Sequence, residues 1–132
     1  RLGVMHRNSF IIAPANLLAT NQLKSDANLF FAGQITGVEG YVESAASGLV
    51  SGINAARVFA GKSALEFPTE TAIGGLMHYI ATSEAKSFQP MNVNFSLVPP
   101  LGRKIRDKRE KNALLAQRSL AKLAEFMQTE MV

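Results

Sequence analysis

The 132-residue chain has no cysteine and no tryptophan. The missing cysteine excludes disulfides, thiolate metal sites and a cysteine nucleophile together. Histidine is scarce: His6 and His78 lie far apart and do not form a metal-ligand pattern, so no metal is expected. No apolar run approaches the roughly 20 residues that cross a bilayer. Residues 1–10 are polar and mixed, unlike the apolar centre of a secretory leader. The expectation is a cytoplasmic protein with no membrane partner.

What is present suits one domain with a modest core: 47% of residues are apolar and the net charge is +4. The most informative stretch runs from Asn28 to Gly61. Leu29, Phe30, Phe31 and Ala32 read as a short buried strand. Gly33, Gly37 and Gly40 form a loop that can take positive φ and let a ligand approach the backbone. A helix is expected from about Tyr41 to Arg57 or beyond, with Gly61 as its stop. Strand, glycine turn and helix start together can cradle an anion or cofactor, because free N–H groups and the positive dipole end point into the turn. The glycines fall as G-x-x-x-G-x-x-G. This is neither the G-x-G-x-x-G of dinucleotide sites nor a P-loop. A corner built only for tight packing explains the same pattern, so both readings stand at this point.

The wording AGQITGVEGYVESAASGLVSGINAAR resembles the carboxy-terminal flavin-contacting segment of the folate-dependent tRNA uracil-5-methyltransferases. RLGVMHRNSFIIAP (residues 1–14) and FQPMNVNFSLVPPL (residues 88–101) extend the resemblance in the same order. It covers most of the chain and fades after about Leu101. It implies an α/β fold: the carboxy-terminal portion of a glutathione-reductase-type, Rossmann-like FAD-binding fold, mostly helical with a few strands. It also implies an enzyme using FAD, NADPH or NADH as reductant, and methylenetetrahydrofolate as one-carbon donor, with tRNA as substrate. By resemblance Gly33, Gln34, Ile35, Gly37, Gly40, Tyr41 and Val42 contact the cofactor. Gln34 stands where related flavoproteins have an acid on the ribityl chain, and its amide can still bond a hydroxyl. His6, Arg7 and Asn8 are assigned near the active site. The family's amino-terminal G-x-G-x-x-G unit and its catalytic cysteines are not in this sequence. The chain therefore reads as a carboxy-terminal piece with no catalytic residue of its own, and its amino-terminal part is an expected partner.

Three segments follow: residues 1–27 as the end of a substrate region, 28–61 as the closing strand–turn–helix, and 62–132 as a helical extension. Ser9 to Ala13 is expected as a strand ended by Pro14, and Asn16 to Leu23 as helical turns. Small residues along the long helix, Gly48 and Gly52 above all, predict close backbone packing of a buried helix. Glu43 reads as ordinary dipole compensation. A further helix is expected over about Glu70 to Ala81. The alternation Met91, Val93, Phe95, Leu97 suggests a strand. A last helix is expected from about Arg103 to Gln128, buried along Ala113, Ala116, Leu120, Leu123 and Met127. Its start holds Arg103, Lys104, Arg106, Lys108, Arg109 and Lys111. A cationic helix start opposes the dipole, and phosphate binding would give it a reason, so Arg103, Lys104 and Arg106 are candidate tRNA contacts. The wobble-uridine tRNA-modifying flavoproteins are the nearest enzyme rival, but their turn reads N-G-T-T-G-Y-E-E. A non-catalytic RNA-binding or assembly module is the rival of another class.

Overall fold

The computed structural model describes residues 9–130. Its elements are α1 (Ala13–Asn16), β1 (Gln22–Leu23), β2 (Asp26–Phe30), α2 (Tyr41–Phe59), α3 (Ala72–Thr82) and α4 (Lys108–Glu130). Short 3-10 turns occupy Gly33–Thr36 and Phe95–Leu97. The described chain is thus mostly helical, with one antiparallel pair of strands. None of its helices is long and apolar enough to cross a membrane.

Residues 9–30 depart from expectation. Ser9 to Ile12 form no strand, and Pro14 opens α1 instead of ending an element. Proline suits a first helical turn, where its missing N–H costs nothing. Asn16 to Leu23 turn back on themselves, and Leu17 bridges Leu23. Asn21 adopts a left-handed φ of 65°, a conformation asparagine tolerates better than most residues. The polar cluster around Ser25 and Asp26 does make a turn, with Leu23 paired to Asp26. β2 begins earlier than Leu29 and is exposed along most of its length. Among the described residues it has a single two-residue partner, so its apolar side chains are left uncovered.

The long helix forms as expected and ends in a Schellman motif. Gly61 takes φ 74°, its N–H donates to the Val58 carbonyl (3.0 Å), and the Lys62 N–H donates to Arg57 (2.8 Å). Its packing differs from expectation. Gly48 and Gly52 are exposed, and a Cβ at either would meet nothing within 4 Å. The buried face is Ser47, Val50, Ser51 and Asn54, largely polar. Asn54 gives both donors and its acceptor to backbone, bonding Thr20 O (3.2 Å), Leu65 O (3.0 Å) and Leu65 N (2.7 Å).

α3 lies at the centre of the core, where Leu76, Met77 and Ile80 meet Ala13, Leu17, Val38, Val50, Phe67, Phe88 and Phe126. Thr71 caps it by accepting from the Gly74 N–H at 2.9 Å. Gly74 is the tightest approach: a Cβ there would lie 2.0 Å from the Pro68 carbonyl oxygen. No strand forms over Met91–Leu97; Asn94 caps a 3-10 turn there through the Ser96 N–H (2.9 Å).

α4 begins later than Arg103, because Asp107 caps it by accepting from the Arg109 N–H (2.7 Å) and the Glu110 N–H (3.1 Å). It is also rotated from the expected stripe. Leu115 and Phe126 are buried, whereas Leu120 and Met127 are 69% and 50% exposed. Polar contacts set that rotation. Ser119 Oγ accepts from the Ala72 N–H (3.1 Å), and the Arg118 guanidinium donates to the carbonyls of Pro99 and Pro100.

Candidate functional site: a glycine turn clamped from both ends

Gly33, Gly37 and Gly40 have φ of 77°, 91° and 112°, the region that side-chain-bearing residues rarely adopt. They carry the chain from β2 through a 3-10 turn into α2. Gly40 is the N-cap and offers no capping side chain, so the N–H groups of Tyr41, Val42 and Glu43 have no intrahelical acceptor. A hollow of about 270 Å³ opens there, lined by Gln34, Gly40, Tyr41 and Ser44. Gln34 is exposed, and among the described residues its side chain makes no hydrogen bond. Ile35 is partly exposed, Val42 is largely exposed, and Tyr41 is 97% exposed.

Each end of the turn is fixed by other parts of the chain. At the Gly33 end, the Gly33 N–H donates to Ser47 Oγ (3.1 Å), and Ser51 Oγ donates to the Phe31 carbonyl (2.7 Å). Asn21 Nδ2 joins them, bonding Ser47 Oγ (3.2 Å) and Ser51 Oγ (3.0 Å). The other end is strapped by residues 88–94. The Phe88 ring fills the space above Gly37, where a Cβ would fall 2.3 Å from a ring carbon. The Met91 N–H donates to Gly37 O and the Glu39 N–H to Met91 O, both at 3.0 Å, making a parallel bridge. Asn92 Nδ2 donates to Glu39 O (2.6 Å), and the Val93 N–H to a Glu43 carboxylate oxygen (3.1 Å). The strap is itself held by the Tyr79 hydroxyl, which donates to Gln89 O at 2.9 Å.

The turn residues expected to act together are thus brought together, and the FQPMN stretch belongs to the same assembly. Ser47, Ser51 and Asn21 were not expected. The signal for the first two was present: Ser47, Ser51 and Asn54 are polar and at helical spacing, so they share one face of α2. Glu43 does more than oppose the dipole, since it bonds Val93. His6, Arg7 and Asn8 lie outside the described residues.

Arg103, Lys104 and Arg106 are exposed on a non-helical stretch before α4. Among the described residues no hydrogen bond or ion pair joins them to the turn, and the one ion pair is Lys122–Glu125 at 3.1 Å. These three residues therefore do not oppose a helix dipole. Of the eight basic residues from Arg103 onward, Arg118 is occupied by carbonyls and Lys122 by Glu125, and among the described residues the six in 103–111 make no side-chain hydrogen bond.

The family described as Glucose inhibited division protein A matches residues 1–63. Curated relatives align along nearly the whole chain. A Heliobacterium modesticaldum protein is 58% identical over 132 residues, all of this chain and 30% of the relative. A Listeria monocytogenes protein is 63% identical over 120 residues, 91% of this chain and 28% of the relative. A Streptococcus uberis protein is 58% identical over 128 residues, 96% and 29%. All three are named methylenetetrahydrofolate–tRNA-(uracil-5-)-methyltransferase TrmFO. The chain belongs to this family, at its carboxy-terminal part. It spans about 30% of the length of the curated relatives it matches.

The family implies FAD, and the turn can be tested against it. An exposed amide, bare helix N–H groups and a hollow of mixed polar and apolar lining suit the edge of a planar, hydrogen-bonding ring. At about 270 Å³ the hollow suits part of a cofactor, not a whole dinucleotide.

Proposed function

We propose that this chain supplies the isoalloxazine side of an FAD site in an enzyme that methylates carbon 5 of a T-loop uridine in tRNA. Methylenetetrahydrofolate would give the one-carbon unit, and NADPH or NADH would restore the flavin, whose chemistry when bound is to supply electrons. The clamped glycine turn with its bare helix start carries this reading. The N–H groups of Tyr41 and Val42 would favour negative charge on the ring's pyrimidine edge. The Gln34 amide would bond a ribityl hydroxyl, Gly33, Ile35 and Gly40 would bring backbone to the cofactor, and Gly37, covered by the Phe88 ring, would serve the site by shaping the turn. The frame is the glutathione-reductase-type fold, with 1–27 ending a substrate region, 28–61 closing the FAD domain, and 62–132 extending it. The remaining part of the polypeptide would cover the uncharged outer face of α2, including Ala45, Gly48, Leu49, Gly52 and Phe59. His6, Arg7 and Asn8 would lie toward the active site, and the location would be cytoplasmic.

Gln34→Ala is the test of choice, because Gln34 makes no internal hydrogen bond and its loss should move stability by no more than about 0.5 kcal/mol. In a polypeptide of the relatives' full length, flavin affinity should fall about tenfold, the worth of one such bond. Unchanged affinity, read by fluorescence titration, would remove Gln34 from the site. Gly40→Val is a poorer probe than its position suggests. Any side chain at Gly40 is strained at φ 112°, and its Cβ would displace the Glu43 carboxylate, so the substitution disturbs the turn whether or not flavin binds.

Arg103, Lys104 and Arg106 would contact tRNA phosphates. Replacing all three with Ala should lower the salt slope of tRNA binding by about 2 to 3, at roughly 0.7–0.9 for each phosphate no longer neutralised. Flavin content should not change, and Lys122→Ala should leave the slope alone. An unchanged slope in the triple variant would exclude this segment. Loss of a wobble modification, with T-loop methylation intact, would favour the sister flavoproteins. A colourless full-length protein that still binds tRNA would favour a binding module.

A further inference from the structure

We propose that Glu43 is a positioning residue: its carboxylate fastens the 88–94 strap to the start of α2 and so fixes where the turn's N–H groups point. This rests on the flavin reading of the turn. Glu43 stands at the third position of α2, where an acid ordinarily bonds back to the cap or offsets the dipole. Instead, one carboxylate oxygen accepts from the Val93 N–H at 3.1 Å, fifty residues along the chain. The other lies over Gly40, in the space a side chain there would fill. The absent Cβ at Gly40 is thus what admits the carboxylate. Glu43 does not line the hollow of Gln34, Gly40, Tyr41 and Ser44, so it acts through the backbone it holds.

The fastening matters because the strap is thinly held between two buried residues, Phe88 and Val98. Phe88 is buried, and its ring lies 6.0 Å from Phe10 and 5.9 Å from Tyr79. Beyond Met91 the residues are exposed as far as Ser96. The Gly37–Met91–Glu39 bridge has two backbone bonds and no continuing ladder. Glu43 and Asn92 bond the strap just past it, and of the two only Glu43 belongs to α2.

The test is amide hydrogen exchange at Glu39, Met91 and Val93, with flavin affinity measured beside it, in a polypeptide of the relatives' full length. Glu43→Ala should speed exchange at these amides about tenfold and weaken flavin binding by a similar factor, as loss of a charge-assisted bond implies. Glu43→Gln keeps an oxygen that can accept from Val93, so both readouts should stay within about threefold of the parent. Unchanged exchange in Glu43→Ala, or a glutamine variant as loose as the alanine one, would overturn the fastening. Faster exchange with unchanged flavin affinity would overturn the positioning role. A parent polypeptide that holds no flavin at all would overturn the flavin reading itself.

Discussion

Alanine at position 37 should destabilise the protein by about 2–6 kcal/mol, and strip flavin from the full-length polypeptide. Two costs add. Holding a side-chain-bearing residue at φ 91° costs about 1–3 kcal/mol. Forcing a methyl group into the Phe88 ring adds about 1–3 kcal/mol of overpacking. The ring has little room to retreat, since Phe10 and Tyr79 flank it. Urea denaturation should show a lower midpoint with an unchanged slope. Introducing Gly37→Ala into a Phe88→Ala background separates the two costs. There the methyl group meets no ring, and only the backbone penalty should remain. An equal cost in both backgrounds would mean that Phe88 does not cap the turn.

Gly74→Ala should be comparably damaging, at about 3–5 kcal/mol, and it reverses the usual rule. Inside a helix alanine ordinarily gains about 1 kcal/mol over glycine. Here the new Cβ would fall 2.0 Å from Pro68 O and 2.5 Å from Phe67 O. That backbone cannot easily yield, because Pro68 O accepts from the Thr71 N–H (2.9 Å) and Thr71 Oγ1 (2.7 Å), and Thr71 caps α3. Relief requires moving the central helix away from its cap. For a small domain stable by about 5–15 kcal/mol, such a loss populates the unfolded state substantially. Gly52→Ala is the internal contrast. With nothing within 4 Å, it should be neutral or stabilising by up to about 1 kcal/mol in this chain. Equal thermal midpoints for the two alanine variants would contradict the packing described.

The sequence was most readable where one residue type has one use. The three glycines at positive φ, the extent of α2 and the Gly61 stop all follow from what glycine alone permits. Readability failed where a non-local polar contact decides the outcome. Nothing near Leu115 in sequence says that Ser119 will accept from Ala72 and turn the helix away from its Leu120 and Met127 stripe. Gly48 and Gly52 suggested close packing, yet the tight approach is at Gly74, whose partner carbonyl comes from the preceding loop. The strand expected at Leu29 forms earlier and lies exposed, because pairing partners are not written into a strand's own residues. In the site, the turn was legible and its clamps were not. Glu43 meets Val93 across fifty residues, and Asn21 meets Ser47 across twenty-six. The basic run was legible as charge but not as conformation, since Asp107 moves the helix start past Arg103, Lys104 and Arg106.

A helix seated on oily side chains can roll or slide by small amounts, because dispersion and hydrophobic contact have no preferred direction. α2 is seated on Ser47, Ser51 and Asn54, whose bonds are either made or broken. Its azimuth is therefore indexed like a gear tooth. A partial roll would forfeit several bonds at once before reaching any alternative set. That indexing sets the azimuth of the helix from which Glu43 reaches the strap, and modest repacking elsewhere in the core should leave it unchanged.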